Sequence, residues 1–163
     1  MATLTVTLTE SISLNGREQG ATNSFTVANV DETYKRIVTC PEDVDTTIAT
    51  FRTSTSTADN ALDLEDVKYI RVTNLDSTNP VNLSLQVAKD EDAAPDVSCS
   101  ILLEAGKSFI MGSPHDGIAV DDDAATLIDA LTDLESLLVD PLSENVQVEV
   151  FICLLYTSPS PRD

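Results

Sequence analysis

The chain reads as all-β, an antiparallel β-sandwich of jelly-roll type with one short helix. Three observations predict it. Apolar and polar residues alternate through most of the sequence, as in Val81-Asn82-Leu83-Ser84-Leu85-Gln86-Val87; this is how a strand buried on one face is built. The alternating runs are rich in Val, Ile, Thr and aromatic residues, which fit a pleated, half-buried surface. Clusters of Asn, Asp, Gly and Pro punctuate them often enough for roughly eight to ten short strands, the count of a sandwich or jelly roll.

Taken in order, Leu4, Val6, Leu8, Ile12 and Leu14 all fall on even positions. Glu10 interrupts the stripe, so the run is either one bent strand or two. Asn15-Gly16 supplies a tight turn, and Gly20 with Asn23 marks a second loop. Phe25 and Val27 open the next strand, and residues 34–40 (YKRIVTC) form another, stopped by Pro41. Residues 44–53 are rich in Thr, Ile and Phe and read as a strand. Residues 53–65 are small and polar and read as an exposed loop. Residues 67–73 and 81–87 make the clearest pair of strands, joined by a turn region over 74–80. A second polar loop covers 89–95, and strands follow at 97–103 and 107–111, split by Ala105-Gly106.

Period two breaks at residues 121–138, where Leu127, Leu131, Leu134 and Leu138 recur at helical spacing. Asp121, Asp122 and Asp123 suit a helix N-terminus, so a short helix is predicted over 124–131. Residues 134–139 then read as a strand pairing with 146–152 across 141–145. Val146, Val148, Val150 and Ile152 alternate again; a chain ending at this strand exposes a raw sheet edge.

The final residues, 153–163, read CLLYTSPSPRD. That string resembles the translation of a transposase adapter used to prepare DNA libraries, residue for residue. The expected organisation is therefore one domain over residues 1–152 followed by a non-native tail over 153–163. The tail holds one basic residue, Arg162, and one acidic residue, Asp163, so the net charge of −19 is the same without it.

Such a charge, with a single histidine, argues against direct nucleic-acid binding, which needs clustered Lys and Arg. No stretch is long and apolar enough to span a bilayer, and MATLTVTLTE lacks the pattern of a secretory signal. Outside the tail, Cys40 and Cys99 lie in apolar, strand-like runs and are expected to be buried free thiols.

Nothing in the sequence assembles a catalytic motif. His115 sits in the turn-like Ser113-Pro114-His115-Asp116-Gly117. A nucleophilic triad needs its members converging in space, and neighbours in one turn do not guarantee that. One His and two separated Cys make a zinc site untenable. Acidic clusters at Asp90-Glu91-Asp92, at Glu42-Asp43 with Asp45, and at Asp121-Asp122-Asp123 offer hard oxygen ligands for calcium. None has the spacing that curls a loop around one ion. If calcium binds, Asp121, Asp122 and Asp123 are the first candidates; no other cofactor is expected. The chain has no Trp, and its six aromatics before the tail all lie in strand-like runs, which disfavours a sugar platform.

The phrases LTVTLTESISLNG (4–16), YKRIVTC (34–40), KYIRVTNLDSTNPVNLSLQV (68–87), LEAGKSFIMG (103–112) and VQVEVFI (146–152) together resemble small β-rich structural proteins of marine tailed bacteriophages. The resemblance covers most of residues 1–152 and rests on strand-and-turn phrasing. It implies that residues 70–76 and 103–109 hold two neighbouring strands, and that the protein is a virion component. It carries over no functional residues. The expectation is a non-enzymatic phage head or tail protein, located in the virion. It would act by self-assembly as a homo-oligomer or with other virion proteins, without nucleic acid or membrane as direct partners. The alternative is a calcium-dependent β-sandwich binding or adhesion module.

Overall fold

Side-chain alternation places one face of each long strand against a common core. A computed structural model describes residues 2–52, 61–87, 97–112 and 134–155. The strands are β1 (Ala2–Thr9), β2 (Ser13–Leu14), β3 (Arg17–Glu18), β4 (Thr22–Val30), β5 (Glu32–Cys40), β6 (Thr46–Arg52), β7 (Leu62–Asp63), β8 (Val67–Asn74), β9 (Val81–Val87), β10 (Val97–Leu103), β11 (Ser108–Gly112), β12 (Leu134–Asp140) and β13 (Val146–Leu154). One sheet has the order β10-β9-β12-β6-β7 and the other β11-β8-β13-β5. Short β7 is parallel to β6; the other ladders are antiparallel.

The pairing is nested. Leaving β7 aside, eight strands follow the N-terminal segment. The first pairs with the last (β5 with β13), the second with the seventh (β6 with β12), the third with the sixth (β8 with β11), and the fourth with the fifth (β9 with β10). Two further ladders, β13 with β8 and β12 with β9, roll this long ribbon into two facing sheets. That is jelly-roll topology, as the sequence predicts.

Between the sheets lie Val81, Leu83 and Leu85 from one side and Ile70, Val72, Val148, Val150 and Ile152 from the other, all buried. Each such side chain contributes about 1.5–3 kcal/mol by leaving water. Asn74 is the fully buried polar residue of this core region. Its amide nitrogen donates to the carbonyls of Asn79 (2.8 Å) and Leu103 (3.1 Å), and its side-chain oxygen accepts the Asp76 N–H (2.9 Å). One side chain thus ties the β8–β9 connection to the end of β10.

Several partners differ from the sequence reading. Strands β8 and β9 are not a pair; they lie in opposite sheets, with Asn74 at the crossing. Strand β12 pairs with β6 and β9, not with β13, so residues 141–145 also cross between sheets. Strand β13 is no edge, because β5 and β8 flank it. It runs past Ile152: Cys153 lies opposite Thr33 and Tyr69, and Leu154 opposite Glu32 and Val67. Both side chains are buried. Within 53–65, read as an exposed loop, Leu62–Asp63 is strand and Leu64 is buried in the core. Cys40 is buried as expected, but Cys99 is exposed. It lies on β10, the outermost strand of its sheet, which is buried at Leu103 and emerges toward Cys99. The predicted helix over 124–131 lies outside the described residues.

The first thirty residues form a separate arm. Strands β1 and β4 pair with each other alone. Beyond them the ladder continues through Glu10 N–H to Ala21 O (2.8 Å) and Gln19 N–H to Ile12 O (2.8 Å), then through β2 and β3. Asn15 (φ 53°) and Gly16 (φ 76°) close the tip with two left-handed residues, the geometry that suits the twist of a hairpin. A Cβ on Gly20 would lie 2.0 Å from the Glu10 carbonyl oxygen, so only glycine lets the two strands approach there.

Candidate functional site

The expected calcium candidates Asp121, Asp122 and Asp123 lie outside the described residues, as do His115 and Asp90-Glu91-Asp92. Glu42, Asp43 and Asp45 are described, and all three are exposed. The Glu42 N–H donates to the Asn145 side-chain oxygen (2.9 Å), which makes this a loop-to-loop tie. Among the described residues, no group of three or more His, Cys, Asp or Glu could hold a metal ion, and no helix is long and apolar enough to cross a membrane.

What the structure does present is an unevenly covered arm. Near its root, Leu4, Val6, Phe25, Val27 and Val30 pack on Tyr69, Phe151 and Cys153, which project from the outer face of the β11-β8-β13-β5 sheet. The rings of Phe25 and Phe151 stand 6.2 and 6.0 Å from that of Tyr69. This second apolar cluster seats the arm on the sandwich. Toward the tip the same even-numbered series is bare: Leu8 is 56 % exposed, Ile12 55 % and Leu14 57 %. Glu18 holds the tip in shape by accepting the N–H groups of Ile12 and Gly20, each at 2.9 Å. Those bonds, that from Ile12 foremost, keep its carboxyl below the ordinary value.

The remainder of that outer face is open. Ile37 on β5 is 60 % exposed and Ile110 on β11 is 45 % exposed. Between them Glu149 receives Arg71 from β8 and Lys35 from β5, the latter at 3.2 Å. The hydrogen bond from Arg71 and then that from Lys35 hold the Glu149 carboxyl below its usual range, against the opposing effect of burial. Arg71 also lies over the Phe151 ring, 5.8 Å from its centre. On this face the charged side chains are Lys35, Arg71 and Glu149, a net +1 in a chain of −19; Glu32, Arg36 and Lys68 alternate with them along β5 and β8.

The other sheet's outer face is largely polar, apart from Leu102 on β10, which is 54 % exposed. Asp45, Asn82, Ser84, Gln86, Ser100 and Asp140 line a shallow depression of about 270 Å³ there. It is open and lacks an aromatic wall. The arm, with Leu8, Ile12 and Leu14, and the Lys35–Arg71 face, with Ile37 and Ile110, carry more exposed aliphatic side chains on a rigid strand framework than this face does, which suits them to contact with another macromolecule.

Sequence reading identified the stripe from Leu4 to Leu14 but not that its outer half is bare. The available signal was Asn15-Gly16, which turns the chain back on itself and leaves each strand of the arm with one neighbour. The Lys35–Arg71 face left a fainter trace. Lys35, Arg71 and Glu149 occupy the positions that alternate with the apolar core residues of their strands.

No family model and no curated protein matches this chain. A solved chain described under "Bacillus endospore appendages form a novel family of disulfide-linked pili" is similar at a TM-score of 0.39 and 12 % identity, over 79 % of this chain and 95 % of that one. At that TM-score the similarity carries no functional argument.

Proposed function

We propose that the chain is a non-enzymatic structural subunit of a phage virion, in the head or tail, that acts by assembling with copies of itself or with other virion proteins. The observation that carries this reading is the arm, whose Leu8, Ile12 and Leu14 are more than half exposed. Apolar side chains set on a fixed hairpin are stabilised by burial against a partner surface. The jelly-roll topology agrees with the reading, because viral capsid domains use it; lectins and cupins use it too, so topology alone does not decide. The resemblance of the strand phrasing to marine phage structural proteins supports the same role.

Residues 153–163 belong to this proposal as adapter-derived. The test is the solution mass of the full chain by light scattering, with and without a calcium chelator. A mass of several chains, indifferent to chelator, is expected. A monomer whose melting temperature falls with chelator would transfer the assignment to a calcium-dependent binding module.

A further inference from the structure

We infer that the tip of the arm docks on the outer face of the β11-β8-β13-β5 sheet of a second copy of this chain, so that copies join head to tail. The inference rests on the self-assembly reading and names the surfaces that would carry it.

Continuity is the first argument. Within one chain, the inner half of the arm's stripe already covers the Tyr69, Phe151 and Cys153 end of this face. The outer half of the stripe is bare, and so is the other end of the face, where Ile37 and Ile110 project. From Val6 to Leu14 the arm reaches roughly 25 Å at about 3.3 Å per residue. That reach lets Leu8, Ile12 and Leu14 leave their own sandwich and meet a neighbour's.

Charge is the second argument. Copies that each carry −19 repel one another over most of their surfaces. The arm escapes this, since residues 2–30 hold only Glu10, Arg17 and Glu18, a net −1. The face escapes it as well, since its Lys35, Arg71 and Glu149 sum to +1. An arm meeting this face therefore encounters little like-charge repulsion, and the face's cations Lys35 and Arg71 stand among its exposed aliphatic side chains. Because the two surfaces differ, the contact is heterologous and propagates as a ring or a filament.

The test uses full-length chains. The arm variant carries Leu8→Thr, Ile12→Thr and Leu14→Thr, and the face variant carries Ile37→Thr and Ile110→Thr. Threonine retains strand propensity at these exposed positions, and matching melting curves check folding. By light scattering, wild type should exceed one chain and each variant alone should be a monomer. An equimolar mixture should return to two chains, because the intact arm of the face variant meets the intact face of the arm variant.

Wild-type mass in the arm variant would remove the arm from the interface. Wild-type mass in the face variant would point to arm-on-arm contact, and a mixture that stays monomeric would show that arm and face do not meet. Each of these overturns the inference while leaving self-assembly standing; a wild type that is monomeric throughout overturns both. If a variant unfolds, Ser13→Cys with Thr39→Cys in a Cys99→Ser background supplies the answer. A bismaleimide should then give a ladder of linked chains, whereas a dimer from Ser13→Cys alone would overturn the docking.

Discussion

Asn74 shows how much of this fold can rest on one polar side chain. It is fully buried, yet its amide nitrogen has two carbonyl partners and its oxygen has a backbone N–H. Its own N–H donates to Lys107 O at 3.0 Å. Just beyond it, Asp76 accepts the N–H groups of Asn79 (2.8 Å) and Thr78 (2.7 Å), and these bonds hold its carboxyl below the ordinary value. The Asn74–Asn79 segment is thus shaped by side chains that stand in for missing sheet partners. Asn74→Ala would leave three backbone groups without their partners, at about 1–3 kcal/mol for each one that stays buried and dry. Denaturant unfolding of the variant should show a midpoint loss worth at least about 2 kcal/mol, with the slope unchanged. A loss below about 0.5 kcal/mol would mean that water replaces the amide and that the crossing does not depend on it.

Strand β13 is the element on which closure of the sandwich depends, because it bridges β5 and β8, which touch nothing else in common. Its end at Leu154 is buried opposite Glu32 and Val67, and the Asp31 N–H donates to its carbonyl at 3.2 Å. Replacing Leu154 by Ala should therefore cost about 2–5 kcal/mol, the range for emptying a leucine site in a core. The same change at exposed Leu8 should shift the monomer's stability by less than about 0.5 kcal/mol. Thermal melts of the two variants compare them directly, and equal losses would contradict the burial pattern. The strands themselves were legible because alternation is local: residues 81–87 declare a buried face without reference to any other segment. Partner choice is not local. Residues 67–73 and 81–87 look like a hairpin because seven residues join them, yet that connection spans the gap between sheets. The strand at 134–139 misled in the same way, since its short link to β13 is also a crossing. For the arm, the stripe at Leu8, Ile12 and Leu14 has the same spelling as a buried one. Only the three-dimensional arrangement shows that no part of the described chain covers it.

Across the whole molecule, charge is distributed as unevenly as apolar exposure. With +1 assigned to the face of Lys35, Arg71 and Glu149, the rest of the chain carries −20. Local pairing such as that of Lys35, Arg52 and Arg71 with Glu149 and Glu135 offsets a small part of this. The folded chain therefore works against its own repulsion, which acts over the Debye length. That length falls from about 30 Å at 0.01 M salt to about 8 Å at 0.15 M. Screening also weakens the Lys35–Glu149–Arg71 contacts, but these are short-range and partly shielded, so relief of repulsion should prevail. Raising sodium chloride from 10 to 150 mM is expected to raise the melting temperature of the arm variant, which isolates the single chain, and in wild type to increase the mass as well. If docking were held chiefly by the tip carboxylates on Lys35 and Arg71, salt would instead lower the wild-type mass while still raising the variant's melting temperature. The two readouts together separate repulsion within a chain from attraction between chains, and assign the arm's contribution to its aliphatic stripe or to its charges.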